Sequence, residues 1–248
     1  MSAYGDFAGL YDQLMDDFDY PEWASYYLDL LQCAGVAPRS LCDCACGTGS
    51  LSIPFAAREI RVTGVDLSEE MLRIAADKAR RSGVQPMFVR QDMRRLSLPR
   101  PVDALICGCD GVNYLLTDDH VMEFFQRAHS AIRPGGALAF DVSSAYKLEH
   151  VLGDNFFGEE RDEVAYRWFN RWNPDAQTVR MDLTFFRQAD NGLYRRFSET
   201  HVQRAHDPQR LKELLEQSGF AQVRIYGDRT FDPPKSDELR IHLTAVRE

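Results

Sequence analysis

The sequence predicts an α/β protein with a Rossmann-like, mostly parallel sheet and a small antiparallel β insertion. Over residues 41–66, an apolar segment runs into a glycine loop, a helix-like segment and a second apolar segment. That order is typical of a nucleotide-binding βαβ unit. The apolar run Val102–Cys107, interrupted only by Asp103, indicates a strand buried on both faces. Residues 143–205 break the βα alternation with segments of period two, which favour antiparallel strands.

The glycine loop predicts the kind of ligand. Gly47 and Gly49 lack Cβ atoms, so the chain can turn sharply there and a ligand can lie against the backbone. Asp66 ends the second strand, where its carboxylate can accept hydrogen bonds from both hydroxyls of a ribose. Ser52 stands where a dinucleotide site would have its third glycine, and Asp43 would repel a pyrophosphate. These features favour a positively charged nucleoside without phosphate, such as S-adenosylmethionine.

Residues 41–49 resemble the first motif of class I S-adenosylmethionine-dependent methyltransferases, hydrophobic-x-D/E-x-G-x-G-x-G. The chain departs from this pattern at Ala45, where the family usually has glycine, and we expect a tighter loop that still binds. The Arg-Pro-Gly-Gly segment at 133–136 is a further point of resemblance. The resemblance covers residues 41–142 strongly and 205–248 in outline. It implies a seven-stranded sheet with an antiparallel last strand, S-adenosyl-L-methionine as cofactor, and an enzyme that transfers methyl groups.

The same resemblance implies a set of residues that contact the cofactor. Leu67 matches the position that packs on the adenine, and Asp92 matches the acceptor for the adenine amine. Met71 could equally be a core residue, and Asp92 could instead cap the turn that follows it. The complete predicted set is Tyr11, Tyr20, Asp43, Ala45, Cys46, Gly47, Gly49, Asp66, Leu67, Met71, Asp92, Met93 and Cys109.

Local signals place the helices in chain order. Pro21 after Asp19 predicts the first turn of an N-terminal helix, and Ser68, Thr117 and Asp207 are N-cap residues for later helices. The predicted organisation is a cofactor-binding domain of residues 1–142 and 206–248, with 1–37 as an aromatic helical cap. Residues 143–205 form an inserted lid of three strands, at about 164–170, 178–187 and 193–203.

The segment after the run Val102–Cys107 supplies the predicted substrate side. It lies at the carboxyl end of the sheet, where ligands bind in α/β proteins. Asp110, Asn113 and Tyr114 are the candidates there, and Asp110, Tyr114 and His201 are candidates for a catalytic base. The lid arginines could grip an anionic substrate, but for each of them a solvent-exposed position is the simpler interpretation.

Composition limits the class of protein. The chain has 248 residues, a net charge of -9 and six cysteines. The acidic balance argues against a nucleic-acid partner, and the cysteines without a secretory signal indicate a cytoplasmic protein. The chain contains no run of about 18 apolar residues, so we expect no membrane-spanning helix. The spacing of cysteines and histidines predicts no metal site, so Cys42, Cys44, Cys107 and Cys109 are expected to be small buried core residues. The aromatic N-terminus could instead form a homodimer interface.

The predicted function is methyl transfer from S-adenosylmethionine to a nitrogen, oxygen or carbon nucleophile of a small molecule, by in-line displacement. One alternative is a tRNA or protein methyltransferase. Alternatives from other classes are a nicotinamide-dependent oxidoreductase and a protein that binds S-adenosylmethionine without turnover.

Overall fold

The computed structural model describes residues 8–14, 18–161, 163–189 and 191–248. Parts of the predicted cap (1–7 and 15–17) therefore lie outside the described residues, as do single positions of the insertion. The helices are α1 (Ala8–Leu14), α2 (Tyr20–Cys33), α3 (Ser52–Ala57), α4 (Glu69–Arg81), α5 (Asp118–Ala131) and α6 (Pro208–Gln217). The strands are β1 (Ser40–Cys44), β2 (Arg61–Asp66), β3 (Met87–Arg90), β4 (Val102–Cys107), β5 (Ile132–Ser143), β6 (Phe156–Glu160), β7 (Val164–Asn173), β8 (Thr178–Gln188), β9 (Tyr194–Arg204), β10 (Phe220–Tyr226) and β11 (Arg240–Arg247).

The larger sheet has seven strands in the order β10-β11-β5-β4-β1-β2-β3. The last strand, β11, is antiparallel to both of its neighbours, whereas the pairs among β1 to β5 are parallel. This confirms the predicted fold class. The carboxyl ends of β1 and β4, which are adjacent, bring the glycine loop and the segment after β4 together.

Two apolar layers cover the faces of this sheet, because successive side chains of a strand point to opposite faces. Leu105 and Cys107 belong to the layer that also contains residues of α5 and α6. Ala104 and Ile106 belong to the layer with α2 and α3, which includes Tyr27. Most aromatic residues of α2 therefore pack the cap on the core.

The second sheet contains β6 to β9 in sequence order, and all of its pairs are antiparallel. The sequence predicted three strands here, and the structure adds β6. The added strand is mostly exposed and contains Gly158 between aromatic and acidic residues, so it lacks a period-two pattern. The division into domains at residues 143 and 205 stays a prediction.

Helix α1 joins the two sheets. Leu10 is buried and packs in one apolar cluster with Val164 and Phe185 of the second sheet. On its other side α1 contacts α4. The N-terminal helix thus lies between the insertion and the glycine-loop side of the larger sheet. None of the helices in the described ranges is long and apolar enough to cross a membrane.

Candidate active site

The glycine loop is fastened to the end of β2 by main-chain hydrogen bonds. The N–H of Gly47 donates to Asp66 Oδ2 at 2.9 Å, and the N–H of Ser68 donates to Asp66 Oδ1 at 2.8 Å. Gly47 adopts a left-handed φ of 53°, which favours glycine. Ala45 has a φ of 58° in the same loop, so the alanine that departs from the family pattern occupies a conformation suited to glycine. The carboxylate of Asp66 at the end of β2 therefore holds the glycine loop in place.

A cavity of about 360 Å³ opens above this loop, within the size range of small-molecule sites. It contains twelve of the thirteen predicted cofactor residues. Its described lining consists of Tyr11, Tyr20, Asp43, Ala45, Cys46, Gly47, Thr48, Ser50, Leu51, Val65, Asp66, Leu67, Ser68, Met71, Gln91, Asp92, Met93, Arg94, Gly108, Cys109, Gly111, Tyr114, Leu115, Leu116 and His120. The sequence thus predicted most of the wall nearest the glycine loop and missed much of the outer rim.

Two carboxylates, Asp43 and Asp66, make the cavity suitable for a cation. Asp43 is buried and accepts a hydrogen bond from Ser52 Oγ at 2.5 Å; burial raises the pKa of its carboxyl to about 7. Burial also raises the pKa of Asp66. The sulfonium and ammonium of S-adenosylmethionine would lie close to carboxylates that have few cationic neighbours, so the donor set fits that cofactor and disfavours a pyrophosphate.

Asp92 caps a turn and also lines the cavity. It is the N-cap of the 3₁₀ turn Met93–Arg95, and it accepts a hydrogen bond from the main-chain N–H of Arg94 at 2.9 Å. The Arg94 guanidinium also pairs with its carboxylate at 2.5 Å and lowers its pKa. Because Asp92 lines the cavity as well, capping the turn and contacting a ligand are compatible.

Tyr11 and Tyr20 bring α1 and α2 over the cavity. Burial, followed by the proximity of Cys109, raises the pKa of both phenols. Both side chains therefore stay protonated at neutral pH and can donate hydrogen bonds. Both side chains line the cavity, and their contact with the cofactor stays a prediction.

The sequence missed the contacts that hold α1 over the glycine loop. Asp12 Oδ1 accepts hydrogen bonds from Thr48 Oγ1 at 2.6 Å and Ser50 Oγ at 3.3 Å. Lys78 of α4 pairs with Asp12 Oδ2 at 2.7 Å and donates to Ser50 Oγ at 2.7 Å. We call Asp12, Thr48, Ser50 and Lys78 the cap latch. Two hydroxyls beside the loop glycines were the available sequence signal, but nothing local in the sequence predicts their distant partners.

Two predicted site residues have other positions. Gly49 does not line the cavity; a Cβ there would lie 3.0 Å from both Ala75 Cβ and the Phe88 ring, so this glycine allows the loop to pack on α4 and β3. Asn113 is fully buried and joins β5 to β9: its amide donates to the carbonyls of Ser143 and Arg204 and accepts from the N–H of Ser143. The sequence predicted cofactor contact for Gly49 and a substrate-side position for Asn113. Both predictions are corrected, because contacts with residues distant in the sequence determine where these two residues lie.

Asp110 is likewise outside the cavity lining. Its Oδ1 pairs with the guanidinium of Arg240 at 2.5 Å, and Lys147 lies 3.9 Å from Oδ2. A carboxylate held in this ion pair is poorly placed to act as a base in the cavity. Of the three candidate bases, Tyr114 is the one that lines the cavity.

Tyr114 and His201 lie next to each other. Tyr114 lines the cavity, and its hydroxyl lies 3.3 Å from His201 Nδ1. On the opposite edge of the imidazole, Nε2 lies 3.3 Å from Glu199 Oε2, and both side chains are largely buried. The arrangement is a chain of three groups, in which His201 can accept a proton passed on by Tyr114 while the Glu199 carboxylate stabilises the imidazolium.

The cysteines show no metal-binding arrangement. Cys42, Cys44 and Cys107 are buried among apolar residues, and no cluster of potential metal ligands exists within the described ranges. Burial raises the pKa of the Cys46 thiol, which lines the cavity in its unreactive form. Cys109, which the sequence placed in the core, is instead partly exposed and lines the cavity.

Comparisons with known proteins agree with this geometry. Residues 41–136 match a family model described as a methyltransferase domain. The Bacillus subtilis (strain 168) protein named "Putative methyltransferase YqeM" is 36% identical over 98% of this chain and 97% of its own length.

Two further similarities extend to the whole chain or most of it. A crystal structure of an S-adenosylmethionine-dependent methyltransferase from Clostridium acetobutylicum ATCC 824 has a TM-score of 0.87 and 30% identity, covering 98% of both chains. A dTDP-3-amino-3,4,6-trideoxy-alpha-D-glucopyranose N,N-dimethyltransferase of Streptomyces venezuelae is 30% identical over 74% of this chain and 76% of its own. With the carboxylate-lined cavity, these similarities exclude the nicotinamide-dependent alternative. The chain belongs to the S-adenosylmethionine-dependent methyltransferases, and its cofactor is S-adenosyl-L-methionine.

Proposed function

We propose that this enzyme methylates an amine nitrogen of a small molecule and that Tyr114 accepts the proton which the amine loses. The observation that carries the proposal is the chain from Tyr114 in the cavity wall through His201 to Glu199. S-adenosylmethionine supplies an electrophilic methyl group, so the protein mainly has to align the nucleophile, exclude water and remove a proton.

Each proton that leaves one atom of this path is accepted by the next atom. The neutral amine attacks with its lone pair, so the proton to be removed is the one on the methylated nitrogen. As the tyrosine oxygen accepts that proton, its own proton passes to Nδ1 of His201. The imidazolium formed in this way is stabilised by the Glu199 carboxylate 3.3 Å from Nε2. A nucleophile without an acidic proton would not need this arrangement.

The relatives support a small amine as acceptor. The Streptomyces venezuelae relative, whose name specifies N,N-dimethylation of an amino sugar, matches 74% of the chain. Relatives named as ubiquinone biosynthesis O-methyltransferases match only about half of the chain, for example 48%. We infer that similarity beyond the cofactor-binding part favours the nitrogen acceptor. We propose that the insertion, whose His201 lies behind Tyr114 of the cavity wall, acts as a lid, and a lid favours a small substrate.

The test is an acceptor panel in which formation of S-adenosylhomocysteine is measured. Amino sugars attached to nucleoside diphosphates are compared with the corresponding hydroxyl sugars. We expect turnover of the amines, and the Tyr114→Phe variant should lower kcat about 100-fold without changing the Kd for the cofactor. Tyr146→Phe, outside the cavity lining, is the matched control. Turnover of hydroxyl sugars alone would contradict the nitrogen assignment.

The macromolecular alternative is an outcome of the same panel. Transfer to tRNA or to a protein, with none to the small molecules, would support it. Such substrates would contact the exposed outer face of the lid, where Arg171 and Arg180 lie. Both arginines pair with Asp182, which reduces the positive charge offered to a phosphate backbone.

A further inference from the structure

A buried carboxylate stands behind the cavity at the carboxyl end of β5. Asp141 is fully buried and accepts a hydrogen bond from the Tyr27 hydroxyl at 2.5 Å. It also accepts the main-chain N–H groups of Cys109 at 2.8 Å and Asp110 at 3.1 Å. The Arg240 guanidinium is its fourth donor. A carboxylate buried in this position needs all four hydrogen-bond donors to compensate for its loss of water.

The turn that Asp141 holds has an unfavourable backbone conformation. Cys109 has a φ of 55° and Asp110 has a φ of 66°, so two consecutive residues with Cβ atoms are left-handed. Such strain persists only where surrounding contacts over-determine it, and it occurs often at functional sites. Two main-chain N–H groups aimed at one carboxylate are contacts of that kind.

Arg240 links the carboxylates of this group. One guanidinium nitrogen contacts both Asp141 and Asp110, and only 11% of the side chain is exposed. Its guanidinium carbon lies 5.0 Å from the centre of the Trp23 ring of α2. Asp141 shows the effect of the charge: burial acts to raise its pKa, but Arg240 and the donors around it lower the pKa instead.

We propose that Arg240 and Asp141 are positioning residues that hold the turn at Cys109 and Asp110 against the cofactor cavity. Neither residue is in the cavity lining, whereas Gly108, Cys109 and Gly111 are. The pair therefore acts on the cofactor through the main chain of the turn. This role goes beyond the proposed acceptor chemistry, because the pair positions the part of the cavity wall at the end of β4 whatever the acceptor is.

The thiol of Cys109 reports directly on this turn. Iodoacetamide labelling of the purified full-length protein, followed by peptide mass spectrometry, gives a separate rate for each cysteine. Exposed Cys33 is the fast reference, and the buried Cys42, Cys44 and Cys107 report loosening of the core. In Arg240→Gln, we expect Cys109 labelling to accelerate about 10-fold while the three core cysteines keep their wild-type rates.

The same variants are titrated with S-adenosylhomocysteine by calorimetry. We expect Arg240→Gln to weaken binding about 10-fold and Arg240→Lys, which keeps the charge, to restore part of the affinity and of the Cys109 protection. Arg133→Gln is the matched control, because it breaks a 2.5 Å ion pair with Asp103 at the opposite end of β4 and β5. It should change neither quantity.

Tyr27→Phe provides a second route should Arg240→Gln fail to fold. It removes one donor to Asp141 while keeping the buried ring, and we expect about a 3-fold faster labelling of Cys109. Unchanged Cys109 labelling and unchanged affinity in the variants would overturn the proposal. Equal acceleration at Cys42, Cys44 and Cys107 would also overturn it, because the pair would then stabilise the core as a whole. Activity on any acceptor is not needed for either readout.

Discussion

Asp43 is a buried carboxylate that titrates near neutral pH. Burial raises its pKa from an ordinary value near 4 to about 7, although the hydrogen bond from Ser52 opposes the shift. Between these two pH values the folded chain holds a proton that the unfolded chain has lost. The contribution of Asp43 to the free energy of unfolding therefore falls as pH rises toward 7, which is the opposite of the usual behaviour of a salt-bridged acid.

Replacing this carboxylate should flatten the pH dependence of stability. We expect Asp43→Asn to be more stable than the wild type at pH 8, by on the order of 4 kcal/mol at most, and nearly equal to it at pH 4. Urea unfolding at several pH values measures the difference. Asp103→Asn is a control with the opposite expectation. Burial acts to raise the pKa of the Asp103 carboxyl, but its hydrogen bonds outweigh burial and lower the pKa to about 2. The Asp103→Asn variant should therefore lose stability at neutral pH. Parallel curves for Asp43→Asn and wild type would refute this.

The same carboxylate should link cofactor binding to protons. A cation bound beside Asp43 favours its ionised form, so binding of S-adenosylmethionine near pH 7 should release a proton. Calorimetric titrations in buffers of different ionisation enthalpy count the protons released. We expect about half a proton or more for wild type and close to none for Asp43→Asn. An equal count in the two proteins would assign the proton to another group.

The two loop glycines differ in why they must be glycine. Gly47 has a φ of 53°, but a Cβ added there would meet no atom within 4 Å, whereas at Gly49 a Cβ would meet Ala75 and Phe88 at 3.0 Å with a φ of 72°. Gly47→Ala should cost about 1 kcal/mol of stability through its backbone alone. Gly49→Ala should cost about 1–3 kcal/mol more because the close contacts add to that term. Denaturant unfolding of the pair of variants decides this, and equal losses would contradict it.

Residues recognisable from the sequence share one property: their role depends on neighbours close in the chain or on a ligand common to the family. The glycine loop, Asp43 and Asp66 are of this kind. Asn113 and Asp110 follow the same strand, yet partners about 30 to 130 positions away, at Ser143 and Arg240, determine what they do. No local pattern carries that information.

At the scale of elements, helix starts were predictable because their caps are local. Ser68 and Thr117 accept hydrogen bonds from N–H groups three residues later, as their residue types predict. Strand β6 was missed because its pairing with β7 compensates for a sequence with little β pattern. The placement of α1 between two sheets was also beyond the sequence, since it depends on the complete tertiary arrangement.

The cap latch should control how fast the cofactor leaves. Asp12 connects α1 to the loop hydroxyls and to Lys78, so α1 has to release these contacts before it can move off the cavity. Asp12→Ala should speed dissociation of S-adenosylhomocysteine about 10-fold, the effect of one or two lost hydrogen bonds. Stopped-flow displacement gives the rate. Glu22→Ala, which removes an exposed pair of α2 with Arg229, is the control; an identical effect of both variants would exclude the latch.

At the scale of the whole molecule, the described lining of the cavity comes from α1, α2 and the loops and helices of the larger sheet, and the second sheet lies behind it. The glycine loop and the end of β4 supply its floor, α1 and α2 supply aromatic rings, and the second sheet reaches it through His201 behind Tyr114. Helix α1 contacts both the cavity and the apolar cluster with Phe185. Ordering of α1 by the cofactor should therefore be transmitted to the second sheet.

Hydrogen exchange can separate the steps of this transmission. In wild type, saturating S-adenosylhomocysteine should slow exchange in the glycine loop, in α1 and in β8. Leu10→Ala removes the buried contact of α1 with Val164 and Phe185, and we expect the loop to keep its protection while β8 loses it. Leu211→Ala truncates an equally buried leucine of α6. It should lower the free energy of unfolding by the same amount, about 2–5 kcal/mol, but should keep all three regions protected. Protection of β8 in Leu10→Ala at the wild-type level would mean that the second sheet senses the cofactor without α1, through the Tyr114 and His201 contact instead.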